Sequence, residues 1–294
     1  MQKITSIIAL LLIISLQTVV ANDAVKILSY IDVDTDYEFE GVKGINITYK
    51  YNFLSLEEDQ HNDTILDNCT FYLKTKLYVN GAAVKSELGY NAYKNSNGEL
   101  EYSITLTGRD IQASKFDRKA TQFIPYAAMQ INEGEYAITI NTEMTGNDAT
   151  GQSHTDKKEK PVTFKKPATK IVTMNIDYIE VNTLNAKNQA WDYALFKTDA
   201  PDVGVDIKVG NSTTWKSHVN DTYMFAVGPN SKNIQFTISE KDKFAVLVQD
   251  IDVLFHDFVA NLIFTTKDKK DGQVYTYDKA SGNIKTCSLN FKIN

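Results

Sequence analysis

Apolar and polar residues alternate one by one along several stretches of this chain, and that period of two constrains its fold more than any other feature. Ile45 to Phe53 (I-N-I-T-Y-K-Y-N-F), Phe71 to Val79, Tyr102 to Leu106 and Tyr136 to Ile140 all follow the pattern. Successive side chains of a strand point to opposite faces, so such a pattern buries one face and wets the other. Asn80-Gly81, Asn97-Gly98, Glu133-Gly134 and Asp271-Gly272 separate these stretches, and such pairs take the positive φ that tight hairpins need. Beyond the N-terminal segment no long window keeps a helical period. The expected fold is all-β, built as two tandem antiparallel β-sandwich domains.

Residues 1–21 carry Lys3, an unbroken apolar run from Ile7 to Ile14, and Val-Val-Ala before Asn22. This reads as a cleaved secretory signal peptide, since the run is too short to span a ~30 Å hydrocarbon slab. The mature chain is expected to be secreted or periplasmic/extracellular, and soluble. Roughly 270 residues remain, enough for two sandwiches, placed at 22–166 and 167–294. The boundary is set near Pro167, because residues 146–170 turn rich in Gly, Ser, Asp and Lys. The lysine run there reads as a solvated linker, with a patch for anionic lipid as the alternative.

The formal net charge is −6, which disfavours nucleic acid as a partner. The two cysteines, Cys69 and Cys287, exclude a disulfide framework. A single bridge and a pair of buried thiols both stay open. Asp32-Val33-Asp34-Thr35-Asp36 begins like an EF-hand loop but has Tyr37 where Gly is needed and Lys43 where Glu is needed. Alternating acids on the exposed face of a strand fit it better. His61, His154, His218 and His256 are scattered, and no nucleophile elbow, zinc motif or phosphate loop is present, so an enzyme is not expected. N-x-S/T triplets begin at Asn46, Asn62, Asn68, Asn211 and Asn220.

The densest chemistry lies in two segments of the second half. One carries Trp191-Asp192, Asp199 and Pro201-Asp202 ahead of a strand at Val205 to Val209; the other is an apolar strand ending in Asp250-Ile251-Asp252, with Asp257 close behind. Asp250 and Asp252 sit at i and i+2 and project to one side. If the Asp202 loop shares that end, the carboxylates converge, and like charges brought together need a cation or protons. A hard divalent ion that tolerates irregular loops, Ca2+, is the natural counterion. The bland reading is that Asp simply caps turns at strand ends.

The order of a Pro-Asp loop entering a strand, then much later an apolar strand ending in Asp-x-Asp with a further Asp, resembles the calcium loops of a C2 domain. By that resemblance Asp192 or Asp199 and Asp202 are ligands from the first calcium loop, and Asp250, Asp252 and Asp257 from the third. The chain departs from the family at Val203-Gly204 and Val259-Ala260, which leaves the number of ions open. Phe123-Ile124-Pro125-Tyr126 in the first half resembles a segment of a C2-like sandwich module and reads as a fold signature. Trp191, Phe196, Val253, Leu254 and Phe255 stand among the acidic residues, where exposed apolar tips would mark a contact surface. The expectation is a non-enzymatic C2-like protein that binds calcium and meets an anionic membrane surface or another extracytoplasmic protein, with no nucleic acid or small-molecule substrate. The rival is a metal-independent structural or adhesion scaffold module.

Overall fold

The computed structural model describes residues 28–51, 70–107, 118–147, 153–185, 200–226, 231–251 and 256–294, together with 187, 189 and 191. The first half contains β1 (Leu28–Phe39), β2 (Val42–Tyr51), β3 (Thr70–Val79), β4 (Ala82–Ala83), β5 (Glu101–Thr107), β6 (Arg118–Pro125), β7 (Gly134–Asn147) and β8 (Ser153–Lys166). They form a three-stranded sheet, β1-β2-β6, and a five-stranded sheet, β4-β3-β7-β8 with β5 also on β3.

The second half contains β9 (Thr169–Val181), β10 (Val203–Val209), β11 (Ser212–Val219), β12 (Met224–Ala226), β13 (Ile234–Ser239), β14 (Lys243–Ile251), β15 (His256–Thr265), β16 (Val274–Tyr277) and β17 (Ile284–Ile293). Its sheets are β11-β10-β14-β15 and β12-β9-β17-β16, the latter with β13 on β9. The fold is all-β and multi-sheet, every strand pairing shown is antiparallel, and among the described residues no helix is long and apolar enough to cross a membrane.

The alternation read from the sequence is the alternation of burial. In β2, Ile45, Ile47 and Tyr49 are fully buried while Asn46, Thr48 and Lys50 between them are half-buried; in β14, Phe244, Val246 and Val248 face inward and Lys243 faces out. Each such Val, Ile or Phe contributes about 1.5–3 kcal/mol by leaving water. The first sandwich also ties its two sheets with a buried polar cluster. Tyr49 donates its hydroxyl proton to Gln122 Oε1 at 2.8 Å and lies 2.7 Å from Thr75 Oγ1, joining β2 and β6 to β3. Asp32, Asp34 and Asp36 lie on the exposed face of β1, as the strand reading expects.

The lysine-rich run is not a linker. It is β8, paired with β7 from Ser153↔Asn147 to Lys166↔Gly134. An edge strand carries lysines and a proline because both discourage further pairing, and Pro161 has no N–H to offer on the open side. Part of the run is ion-paired or buried. Lys157 pairs with Glu143 at 2.9 Å, Lys158 lies 3.7 Å from Asp156, and Lys170 pairs with Asp271 at 2.7 Å. Lys166 is 1% exposed, and burial lowers its pKa.

The halves meet along a hydrogen-bonded seam. The β1–β2 turn, Glu40-Gly41, takes positive φ at both residues (52° and 80°) and abuts the β13–β14 turn. Lys243 N–H donates to Gly41 O at 3.0 Å, and Lys43 N–H donates to Asp242 Oδ1 at 3.3 Å. A Cβ at Gly41 would fall 2.6 Å from the Lys243 side chain, so glycine suits both the turn and the contact. Nearby, Thr237 N–H donates to Leu88 O at 3.0 Å while the buried Tyr90 hydroxyl donates to Thr237 O at 3.1 Å.

Candidate functional site: the acidic end of the second sandwich

Central strand β10 places the site. Its first residue, Val203, lies opposite Asp250 of β14, and the pairing runs one step past the strand. Asp202 N–H donates to Asp250 Oδ1 at 2.8 Å, and Ile251 N–H donates to Asp202 O at 2.8 Å. Asp202 and Asp250 therefore share one end of the sandwich, the condition on which the sequence reading depended. Asp257, exposed at the start of β15, is directly opposite Asp250 across the β14–β15 pair.

Asp250 is fully buried. Burying a carboxylate is costly unless it is hydrogen-bonded. Part of the carboxylate capacity is already used within the fold. Asp250 Oδ1 caps the Asp202 amide, and Asp202 Oδ1 accepts from Asp221 N–H at 2.8 Å.

Asp221 is the acidic residue at this end that sequence reasoning missed. It sits after β11 with φ 52°, and Asn220-Asp221 is a turn signal that points to it. Thr222 N–H to Pro201 O at 2.9 Å closes that turn onto the Asp202 loop. Asn220 and Asn211 are both exposed, with Asn211 Oδ1 accepting from the Tyr93 hydroxyl at 3.1 Å, and Asn46 lies within central strand β2.

Asp192, Asp199, Asp252, Phe196, Val253, Leu254 and Phe255 lie outside the described residues. Among the described residues no group of three or more His, Cys, Asp or Glu side chains is arranged to hold a metal. Trp191 corrects the reading of the apolar tips: it is 5% exposed and its indole N–H donates to Asn182 O at 2.7 Å, so it has no surface to offer a membrane or partner. A tryptophan buried with its N–H satisfied is a packing residue. Cys287 carries a free, buried thiol that donates to Lys279 O at 3.3 Å, while Cys69 lies outside the described residues.

No family model matches the chain, and no curated protein does. Among solved structures, human GIVD cytosolic phospholipase A2 aligns over 77% of this chain and 32% of its own, at 7% identity and TM-score 0.26. BcpA, the major pilin subunit of Bacillus cereus, aligns over 91% of this chain and 66% of its own, at 12% identity and TM-score 0.23. The chain thus spans about a third of the phospholipase and just under two thirds of the pilin.

Proposed function

We propose that this chain is an exported, non-enzymatic binding protein with C2-like sandwiches, the second of which takes calcium at its acidic end and meets an anionic membrane surface or another extracytoplasmic protein there. The observation that carries the reading is the Asp202–Asp250 contact, which brings two distant acidic segments to one end of the sheet with a fully buried carboxylate between them. Asp252 follows Ile251 directly and Asp199 precedes Asp202 by three residues, so chain connectivity keeps further carboxylates close in sequence. A bound cation would cancel the loop charge, order the loops and let an anionic group approach. The metal-independent scaffold is the second reading. It is favoured by the backbone amides of Asp202 and Asp221, which already occupy one oxygen each of Asp250 and Asp202.

Thermal melting with and without calcium separates the two. A ligand that binds only the native state adds about 1.4 kcal/mol at ten times its Kd, so the midpoint rises with calcium and falls back on chelation. In the double variant Asp250→Asn, Asp252→Asn that rise disappears, while the metal-free midpoint holds because an Asn carbonyl still accepts from Asp202 N–H. An unchanged midpoint in saturating calcium leaves the scaffold reading. A calcium-free double variant that unfolds assigns these carboxylates to structure alone.

A further inference from the structure

The outer face of the β10-β14-β15 sheet carries a groove of about 530 Å3 on the side away from the sandwich core, walled by the β1–β2 turn of the other half. Its volume is that of a small-molecule site, and a junction between two folded halves is where such sites form. Strand register fixes its floor. Lys208, Ala245 and Ile263 make one row across the three strands, Asp206, Leu247 and Asn261 make the next, and Lys243 lies two residues before Ala245 on the same face. The alternate residues Phe244, Val246 and Val248 are buried, so this row faces outward. Ile263 is 63% exposed and offers an apolar side chain to this face.

One end of the groove is therefore cationic and the other aliphatic. Neither Lys208 nor Lys243 has an ion-pair partner among the described residues, although other lysines of this chain, such as Lys43, Lys76 and Lys285, are paired. Glu40 is the single carboxylate among the lining residues, and Asp206, two residues before Lys208 on the same face, lies opposite Lys216 of β11, so the lysines of this face keep a net positive charge. Charge and surface together select a ligand with one anionic head and one aliphatic tail. We infer that this groove binds a monomeric aliphatic carboxylate, its head between Lys208 and Lys243 and its tail over Ala245, Leu247 and Ile263. The inference is independent of the calcium reading, because the groove is at the Lys243 end of β14 and Asp250 is at the other.

Titration calorimetry with dodecanoate below its micellar concentration tests this on the full chain, with acetate as the head alone and dodecyltrimethylammonium as the same tail with the opposite charge. The expected result is saturable one-to-one binding of dodecanoate only. The double variant Lys208→Glu, Lys243→Glu should weaken it about tenfold or more. Ile263→Asp, a change at an exposed side chain, should also weaken it with the circular dichroism spectrum unchanged, and Glu40→Gln should tighten it. Equal binding of the cationic amphiphile, binding that survives in both the lysine and Ile263 variants, or binding to anionic phospholipid vesicles without binding of monomeric dodecanoate would overturn the inference.

Discussion

Replacing Phe244 with alanine is expected to cost about 3–5 kcal/mol of stability, read as a lower urea midpoint with an unchanged slope. Phe244 is 1% exposed and lies where the two sheets of the second sandwich meet. Its ring centroid is 5.2 Å from Phe264 in its own sheet and 5.3 Å from both Phe236 and Phe291 in the facing one. Alanine at this position removes apolar burial and leaves a void that three rigid rings cannot close. Leucine refills part of the space, so Phe244→Leu loses less. A loss below about 1 kcal/mol for the alanine variant would mean that these rings do not form one packed unit.

The second large effect is set by pH, at the seam. Asp242 is 3% exposed, and burial pushes its carboxyl up from the ordinary carboxylate value to about 7, against the opposing backbone hydrogen bond from Lys43. Its Oδ2 has no hydrogen-bond partner among the described residues. The charged groups around the adjoining cavity are Glu38, Lys43, Glu240, Lys241 and Lys243, with the Lys43 ammonium held by Asp36 at 2.9 Å.

Between about pH 4 and pH 7 the native state keeps the Asp242 proton and the unfolded chain has released it. Stability from this group is therefore greatest below that window, falls as pH rises through it, and is level above it. The total is on the order of 4 kcal/mol, from ~1.4 kcal/mol per unit of displacement, of which roughly 3 kcal/mol falls above pH 4.5. Asp242→Asn keeps an acceptor for Lys43 N–H but cannot ionise. Its urea midpoint should fall much less than the parent's between pH 4.5 and pH 8, on the order of 3 kcal/mol separating the two slopes. Parallel pH profiles for the two proteins would remove Asp242 from the account of the seam.

Much of this fold is legible in the sequence because its sheets are wet on one face. β2, β3 and β10 announce themselves by alternation, and the turn at Asn80-Gly81 has positive φ at both residues, as such a pair predicts. β7 runs well beyond the apolar stretch Tyr136 to Ile140, to Asn147, because the buried Thr142 reads as polar when it is in fact inside the polar cluster of the core. β8 is hidden for the opposite reason. Its lysines and Pro161 are the marks of a protected edge, and the same marks describe a linker.

At the acidic end, residue types and strand context left the meeting of Asp202 and Asp250 as a condition, which the register of β10 on β14 meets. They were silent on the amide-to-carboxylate bond that joins them, since the acceptor of a backbone N–H leaves no trace in composition. Trp191 misleads because its neighbours are acidic, whereas its own indole N–H reaches back to Asn182. The seam joins Gly41 and Lys43 to Lys243 and Asp242, and Leu88 and Tyr90 to Thr237, and no local pattern encodes such distant pairings.

Equilibrium dialysis of calcium against the full chain at neutral pH counts ions directly and tests the proposed function most sharply. At least one ion per chain, bound with a Kd of 10⁻³ M or tighter on the order set by extracellular oxygen-ligand sites, is the predicted result. Equal calcium on both sides of the membrane at millimolar concentration would contradict it.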